Sequence, residues 1–351
     1  MGEKLSVAVI GAGSWGTALA MVLANNGIQV ELYTRREDQK KEINTKRTNQ
    51  KYLPGIYLPD SIHADTDLER VVKKKPFIIL VVPSHVMRST VRKIKDLVTE
   101  DTMIIHAIKG LEENTYKRMS EVIHEELPYL PKNQIMVLSG PSHAEEVSRF
   151  TPTTVVVSGE DLTLAEKGQD LFINQNFRVY TNTDLIGVEI AGSLKNIIAL
   201  GAGLSDGLGF GDNAKAALIT RGLAEITRLG IELGANPLTF LGLAGVGDLV
   251  VTCTSRHSRN WRAGFQLGKG ERLKQVLEQM GMVVEGVKTT KVAYQLSQHL
   301  QVKMPITQEL YRVLFEGKSP KQAVEDLMGR VKTHEMEEIA FEQLLRFEQK
   351  G

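Results

Sequence analysis

The run Gly11-Ala12-Gly13-Ser14-Trp15-Gly16 sets three glycines at the spacing G-x-G-x-x-G. Gly11 permits a sharp turn, Gly13 lets the backbone approach a pyrophosphate, and Gly16 lets a following helix pack on the preceding strand. The helix N-terminus then offers unpaired N–H groups and the positive end of its dipole to phosphates. Thr34-Arg35-Arg36 stands roughly twenty residues beyond, where an acidic residue would normally bind a ribose 2′-hydroxyl. Two guanidiniums there can pair with a 2′-phosphate or stack on adenine, so NADP(H) is the expected preference, with NAD(H) also accepted. Glu37 and Asp38 follow and would reduce that preference.

Lys195 is the candidate for proton chemistry. At helical spacing its neighbours are Val188, Ala191, Gly192, Ala199 and Ala202, all small or compact. Glu189, Ser193 and Asn196 form a separate polar stripe. Small neighbours predict close approach by another backbone or a ligand. An ammonium there would be partly desolvated, which lowers its pKa and suits it to proton transfer. The alternative is a lysine snorkelling to solvent over a flat surface, and the helix alone leaves both open. Asp248 is the one carboxylate in the glycine-punctuated run 236–251. Hydroxyls then interleave with Arg256, Arg259 and Arg262, a pattern that offers an anion site if a helix begins near Ser258. A charged surface loop is the competing reading of that segment.

These residues need elements to hold them. The first half alternates strand and helix, with strands expected at 7–10, 28–33, 77–82, 103–107, 135–138, 153–157 and 177–180. The loops Pro83-Ser84-His85, Ile108-Lys109-Gly110 and Ser139-Gly140-Pro141-Ser142 then fall at strand ends, converging on the crevice where such sheets bind ligands. After about Thr183 the pattern becomes helical, with helices expected at 185–200, 214–233, 259–267, 287–300, 306–315 and 319–327. The expected fold is therefore an α/β Rossmann-type doubly wound sheet over residues 1–183 plus an all-α domain over 184–351, with the cleft between them. Met282 to Gly286 reads as an extended segment crossing back over the cofactor.

At 351 residues the chain has room for two domains. A net charge of +1 means that an acidic substrate must be held by local clusters, and nothing resembles a nucleic-acid footprint. Cys253 is the only cysteine, which excludes an intrachain disulfide and a cysteine-based metal site and fits a reducing cytoplasm; no metal is expected. The first residues run straight into a strand, so no signal peptide is expected, and no apolar run looks long enough to span a bilayer.

Together these residues resemble bacterial NAD(P)H-dependent glycerol-3-phosphate dehydrogenase, over essentially the whole chain. The resemblance rests on residues 11–18, Lys109-Gly110-Leu111-Glu112, Ser139-Gly140-Pro141-Ser142, Lys195-Asn196, Gly245-Val246-Gly247-Asp248-Leu249 and Ser258-Arg259-Asn260. It implies reversible reduction of dihydroxyacetone phosphate to sn-glycerol 3-phosphate, the backbone precursor of phospholipids. It implies Lys195 as the proton-transferring residue. Its substrate pattern falls on Lys109, Gly140, Ser142, Lys195, Asp248, Ser258, Arg259 and Asn260. Its cofactor pattern falls on Ser14, Trp15, Arg35, Arg36, Tyr52, Lys109, Ala144, Arg259, Val283 and Glu285, beside the glycines Gly11, Gly13 and Gly16. The family also implies a homodimer. His143 stands where the family often has Phe, so no catalytic role is assigned to it.

Two rival readings make different demands. A β-hydroxyacid or phosphogluconate type dehydrogenase shares the two-domain plan but not the Ser258-Arg259-Asn260 cluster with Asp248. A non-catalytic NADP(H) sensor would need the glycine loop but not a lysine facing small residues.

Overall fold

The computed structural model describes residues 5–281, 283–332 and 335. The first half runs β1 (Ser6–Ile10), α1 (Ser14–Asn25), β2 (Gln29–Tyr33), α2 (Glu37–Lys46), β3 (Ile62–Asp65) and α3 (Leu68–Val72). It continues with β4 (Phe77–Leu80), α4 (Met87–Ile94), β5 (Met103–His106), α5 (Met119–Glu126) and β6 (Ile135–Ser139). Then come α6 (Ala144–Val147), β7 (Thr153–Ser158), α7 (Leu162–Phe172) and β8 (Phe177–Asn182). The eight strands form one sheet in the order β3-β2-β1-β4-β5-β6-β7-β8. Every neighbouring pair is parallel except β6 with β7. Strand β3 was not anticipated: His63 and Asp65 interrupt its apolar pattern at an outer position of the sheet.

Alternate residues of β1 enter different cores. Val7 and Val9 pack with α1 on one face, and Ala8 and Ile10 pack with α4 on the other. A sheet covered on both faces needs such continuous apolar strands. Its carboxyl edge is thereby left to the loops.

The second half is helical among the described residues: α8 (Leu185–Gly207), α9 (Asp212–Glu232), α10 (Asp248–Thr254) and α11 (Arg259–Gly268) come first. Helices α12 (Leu273–Met280), α13 (Glu285–His299), α14 (Pro305–Phe315) and α15 (Pro320–Met328) follow. The expected helical domain extended to residue 351; residues 333, 334 and 336–351 lie outside the described ones. Helices α10 and α12 were not anticipated, because glycines and hydroxyls mask the first and charged residues flank the second.

Helix α8 is the axis of this half. Asp184 starts it by accepting from the Gly187 N–H at 2.9 Å, and the same carboxylate accepts from the Thr239 hydroxyl at 2.6 Å. Such a cap is worth about 1 kcal/mol. All of α8 but Ile186 and Asp206 is buried. At 23 residues, with its most apolar stretch at mean hydropathy 1.5, it is long and apolar enough to cross a bilayer, which corrects the expectation that no such run exists. It lies in the core: 94% of its most apolar window is buried. It continues past the expected end at Leu200 because Gly201, Ala202 and Gly203 are tolerated where neighbouring helices approach.

Candidate active site

The buried Lys195 Nζ donates to Asp248 Oδ1 and, at 2.7 Å, to Thr252 Oγ1. Lys109 Nζ, from the loop after β5, donates to the other carboxylate oxygen of Asp248 at 2.7 Å and to the Gly140 carbonyl at 3.1 Å. One carboxylate thus holds two ammonium groups from opposite halves of the molecule at the carboxyl edge of the sheet. Burial pushes Lys195 down to about 7, and the Lys109 charge adds to this, outweighing the attraction of Asp248. Burial alone would raise Asp248, but Lys109 and Lys195 hold it below the usual carboxylate range. The close approach expected beside Lys195 is made by side chains: a Cβ on Gly192 would stand 2.8 Å from Ser139 Oγ and 3.7 Å from Lys109 Cγ.

The polar stripe of α8 is also buried, and it has partners. Glu189 accepts from the Ser120 N–H at 2.8 Å and from Arg118 Nη1 and the Ser120 hydroxyl, each at 2.6 Å. His106 Nε2 lies 3.0 Å from the same carboxylate. Burial would raise Glu189, yet His106 and Arg118 hold it at about 2. These contacts pin α8 to the end of β5 and the start of α5.

Asn196, the last residue of the stripe, reaches the start of α11. Its Oδ1 accepts from Asn260 Nδ2 at 2.8 Å, and Asn260 Oδ1 accepts from the Gly286 N–H at 2.9 Å. Ser258 caps α11, its hydroxyl oxygen accepting from the Trp261 N–H at 3.2 Å. Arg259, exposed at the cleft, donates from Nη1 to the Val283 carbonyl at 3.2 Å. The crossing of α8 and α11 is close. A Cβ on Gly203 would meet the Trp261 carbonyl oxygen at 1.9 Å, and one on Gly264 would meet that of Leu200 at 1.9 Å. Of the other arginines in the expected cluster, Arg262 lines a surface hollow with Trp261, Phe265 and Met280, and Arg256 is exposed on the loop before α11.

The dinucleotide site fits its expected occupant. Gly11 has φ +120°, and a Cβ there would meet the Val81 carbonyl at 2.4 Å; a Cβ on Gly16 would meet the Gly11 carbonyl at 1.8 Å. Gly13 has open space beside it. Helix α1 has no side-chain cap and no acidic residue in its first turn, so its N–H groups and dipole are left for an anion. The Trp15 indole nitrogen is buried without a hydrogen-bond partner. Arg35 is exposed, and the Arg36 guanidinium lies 5.8 Å above the centre of the Tyr52 ring. The Ser14 hydroxyl donates to the Tyr52 carbonyl at 2.8 Å, joining the two loops. Glu37 accepts from the Thr66 hydroxyl, and Asp38 sits 3.6 Å from Arg36. Ala144 opens α6 and is buried, and the Ser142 hydroxyl donates to the Gly140 carbonyl at 2.9 Å.

Val284 is extended, as expected, but α13 begins at Glu285, so Glu285 and Gly286 are helical; Met282 lies outside the described residues. The Ser84 hydroxyl donates to Glu285 Oε2 at 3.0 Å, a contact across the cleft that the sequence did not suggest. Thr252 was also missed, although its i,i+4 spacing from Asp248 was a usable signal once a helix was assigned there. His143 packs against His257 with ring centres 5.8 Å apart, and burial beside Lys195 holds it below the ordinary imidazole value. Burial pushes the Cys253 thiol up to about 12, which disfavours its thiolate form.

A Rossmann-type sheet whose carboxyl edge meets a buried lysine from a helical half defines the nicotinamide-dependent dehydrogenases of two-part build. The model of the NAD-dependent glycerol-3-phosphate dehydrogenase N-terminus matches residues 6–165, and that of its C-terminus matches residues 184–325. Glycerol-3-phosphate dehydrogenase [NAD(P)+] of Halalkalibacterium halodurans is 59% identical over 95% of this chain and 96% of its own. The enzyme of the same name from Geobacillus kaustophilus is 58% identical over 95% of this chain and 97% of its own. The crystal structure of glycerol-3-phosphate dehydrogenase from Coxiella burnetii superimposes with a TM-score of 0.89 at 40% identity, covering 93% of this chain and 99% of that one. The chain belongs to the NAD-dependent glycerol-3-phosphate dehydrogenase family.

Proposed function

We propose that the chain reduces dihydroxyacetone phosphate to sn-glycerol 3-phosphate with NADPH, reversibly, with NADH as a weaker alternative. The observation that carries this reading is the adjacency of two functions on α8. Lys195 faces Asp248, and the next residue, Asn196, holds Asn260 of the anion cluster.

The bound nicotinamide supplies the hydride. Lys195 gives a proton to the developing alkoxide and offsets its charge before transfer. Asp248 fixes the ammonium through one oxygen and Lys109 through the other. Lys109, Gly140 and Ser142 line the sheet side of the substrate. Ser258, Arg259 and Asn260 hold its phosphate, which sets the carbonyl face presented to the cofactor. Gly11, Gly13, Ser14, Trp15 and Gly16 hold the pyrophosphate end of the cofactor. Arg35, Arg36 and Tyr52 hold its 2′-phosphate and adenine. Lys109, Ala144, Arg259, Val283 and Glu285 complete its site. In this reading the division between the halves falls at residues 183 and 184. The protein works as a cytoplasmic homodimer, and its product feeds glycerophospholipid synthesis.

Spectrophotometry tests the reaction: NADPH absorbance falls when dihydroxyacetone phosphate is added. Consumption with a β-hydroxyacid precursor and none with the phosphorylated ketone would replace this substrate. The Lys195 value near 7 sets the pH dependence. Reduction needs the ammonium, so its kcat/KM falls as pH rises through about 7; for oxidation, which needs the neutral amine, kcat/KM rises over the same window. Profiles that move together in both directions would remove Lys195 from proton transfer. The Arg35→Asp, Arg36→Ser double substitution is expected to raise the KM for NADPH about a hundredfold, with NADH little changed. An unchanged NADPH KM would move the 2′-phosphate elsewhere.

A further inference from the structure

We propose that Gln39 and Asn49 are positioning residues for the cofactor, forming a closed hydrogen-bonded circuit that ties the glycine loop to the arginine loop and sets the preference for a 2′-phosphorylated dinucleotide. The inference rests on the NADP(H) reading of this site. Gln39 is 3% exposed and Asn49 fully buried. Gln39 Nε2 donates to the Ala12 carbonyl at 2.6 Å and to Asn49 Oδ1 at 3.1 Å. Asn49 Nδ2 donates to the same Ala12 carbonyl at 3.1 Å and to the Thr17 hydroxyl at 2.8 Å. The Thr34 hydroxyl donates to Gln39 Oε1 at 2.6 Å and accepts from the Arg36 N–H at 3.3 Å.

Both amides spend all their donors here, so their orientations are fixed by their partners. Turning either over would set a carbonyl oxygen against the Ala12 oxygen and leave buried groups unsatisfied. The circuit closes through the second loop. The Asn49 carbonyl accepts from the Tyr52 and Leu53 N–H groups at 3.1 and 2.8 Å, and Tyr52 underlies Arg36 and is joined to Ser14.

The effect on the cofactor follows from peptide geometry. A trans peptide sets its C=O and N–H on opposite sides. Two donors hold the Ala12 carbonyl inward, so the N–H of Gly13 in the same peptide is turned outward, toward the pyrophosphate position. At the other end, the Thr34 side chain is committed inward and its oxygen holds the backbone of Arg36. The guanidinium that reads the 2′-phosphate is thereby set relative to the loop that reads the pyrophosphate. Loss of the circuit would weaken both contacts, and the 2′-phosphate contact is made by NADPH alone.

Gln39→Met and Asn49→Ala are the variants, with Asn44→Ala as control. Asn44 lies on the same helix and bridges the Ala64 N–H and carbonyl, both at 2.8 Å, without touching Ala12. Each test variant is expected to raise the KM for NADPH about tenfold and that for NADH by about threefold, with kcat at saturating cofactor within about twofold of wild type. Asn44→Ala should lose comparable thermal stability and keep both KM values. Unchanged cofactor KM values, or equal rises for NADPH and NADH, would overturn the proposal. Should a variant not fold, the near-isosteric Thr34→Val, which keeps both donors on the Ala12 carbonyl and loses the hold on Arg36, is expected to raise the KM for NADPH and leave that for NADH near wild type. A wild-type enzyme that prefers NADH would instead overturn the NADP(H) reading, which separates the two failures.

Discussion

Lys195→Ala is expected to lower kcat for reduction of dihydroxyacetone phosphate by about three to four orders of magnitude while the Kd for NADPH stays near wild type. The proton donor and the charge that faces the alkoxide are lost together, and each such contribution is worth about a hundredfold or more. The substitution also removes one partner of a buried carboxylate, which ordinarily destabilises strongly. Asp248 keeps Lys109 at 2.7 Å, so its charge remains paired and the fold should survive. Circular dichroism and NADPH fluorescence check folding and binding; stopped-flow absorbance checks turnover. A variant within tenfold of wild type would take the proton step away from this residue.

Arg259→Ala should reduce kcat/KM for dihydroxyacetone phosphate by about a hundredfold or more, in line with the loss of charge-assisted hydrogen bonds to a phosphate. Unphosphorylated dihydroxyacetone separates recognition from damage, because it never engages the clamp. At saturating NADPH its slow turnover should fall far less than that of the phosphorylated ketone. Equal losses on both ketones at saturating NADPH would remove the phosphate role and leave Arg259 only its place beside the cofactor or in the fold. Its hydrogen bond to the Val283 carbonyl makes the KM for NADPH a necessary second readout.

The parts of this molecule governed by local rules were legible in the sequence. The Gly11 and Gly16 roles follow from sterics over a few residues, and the positive φ of Gly11 and the tight contact at Gly16 match them. The small helical neighbours of Lys195 left burial and snorkelling to solvent both open, because an α-helix fixes which residues share a face but not what covers that face; the structure buries it. What escaped was set by distant pairing. The sharing of Asp248 between Lys195 and Lys109 joins residues 53 and 139 positions away, and no periodicity encodes it. The Ser84–Glu285 contact spans 201 positions and depends on how α13 crosses the cleft. The antiparallel turn from β6 to β7 was hidden because a strand buried on both faces reads alike in either direction. Gln39 and Asn49 look like ordinary surface amides in a polar stretch, and only their enclosure gives them away.

The glycine-lined crossing of α8 and α11 makes these two helices a calliper. With backbone against backbone at Gly203 and Gly264, no side chain intervenes that could shift to widen the jaws. One jaw carries the Lys195 amine and the other the Ser258–Asn260 turn, so main-chain contact, not a movable side chain, sets how far apart these two groups stand.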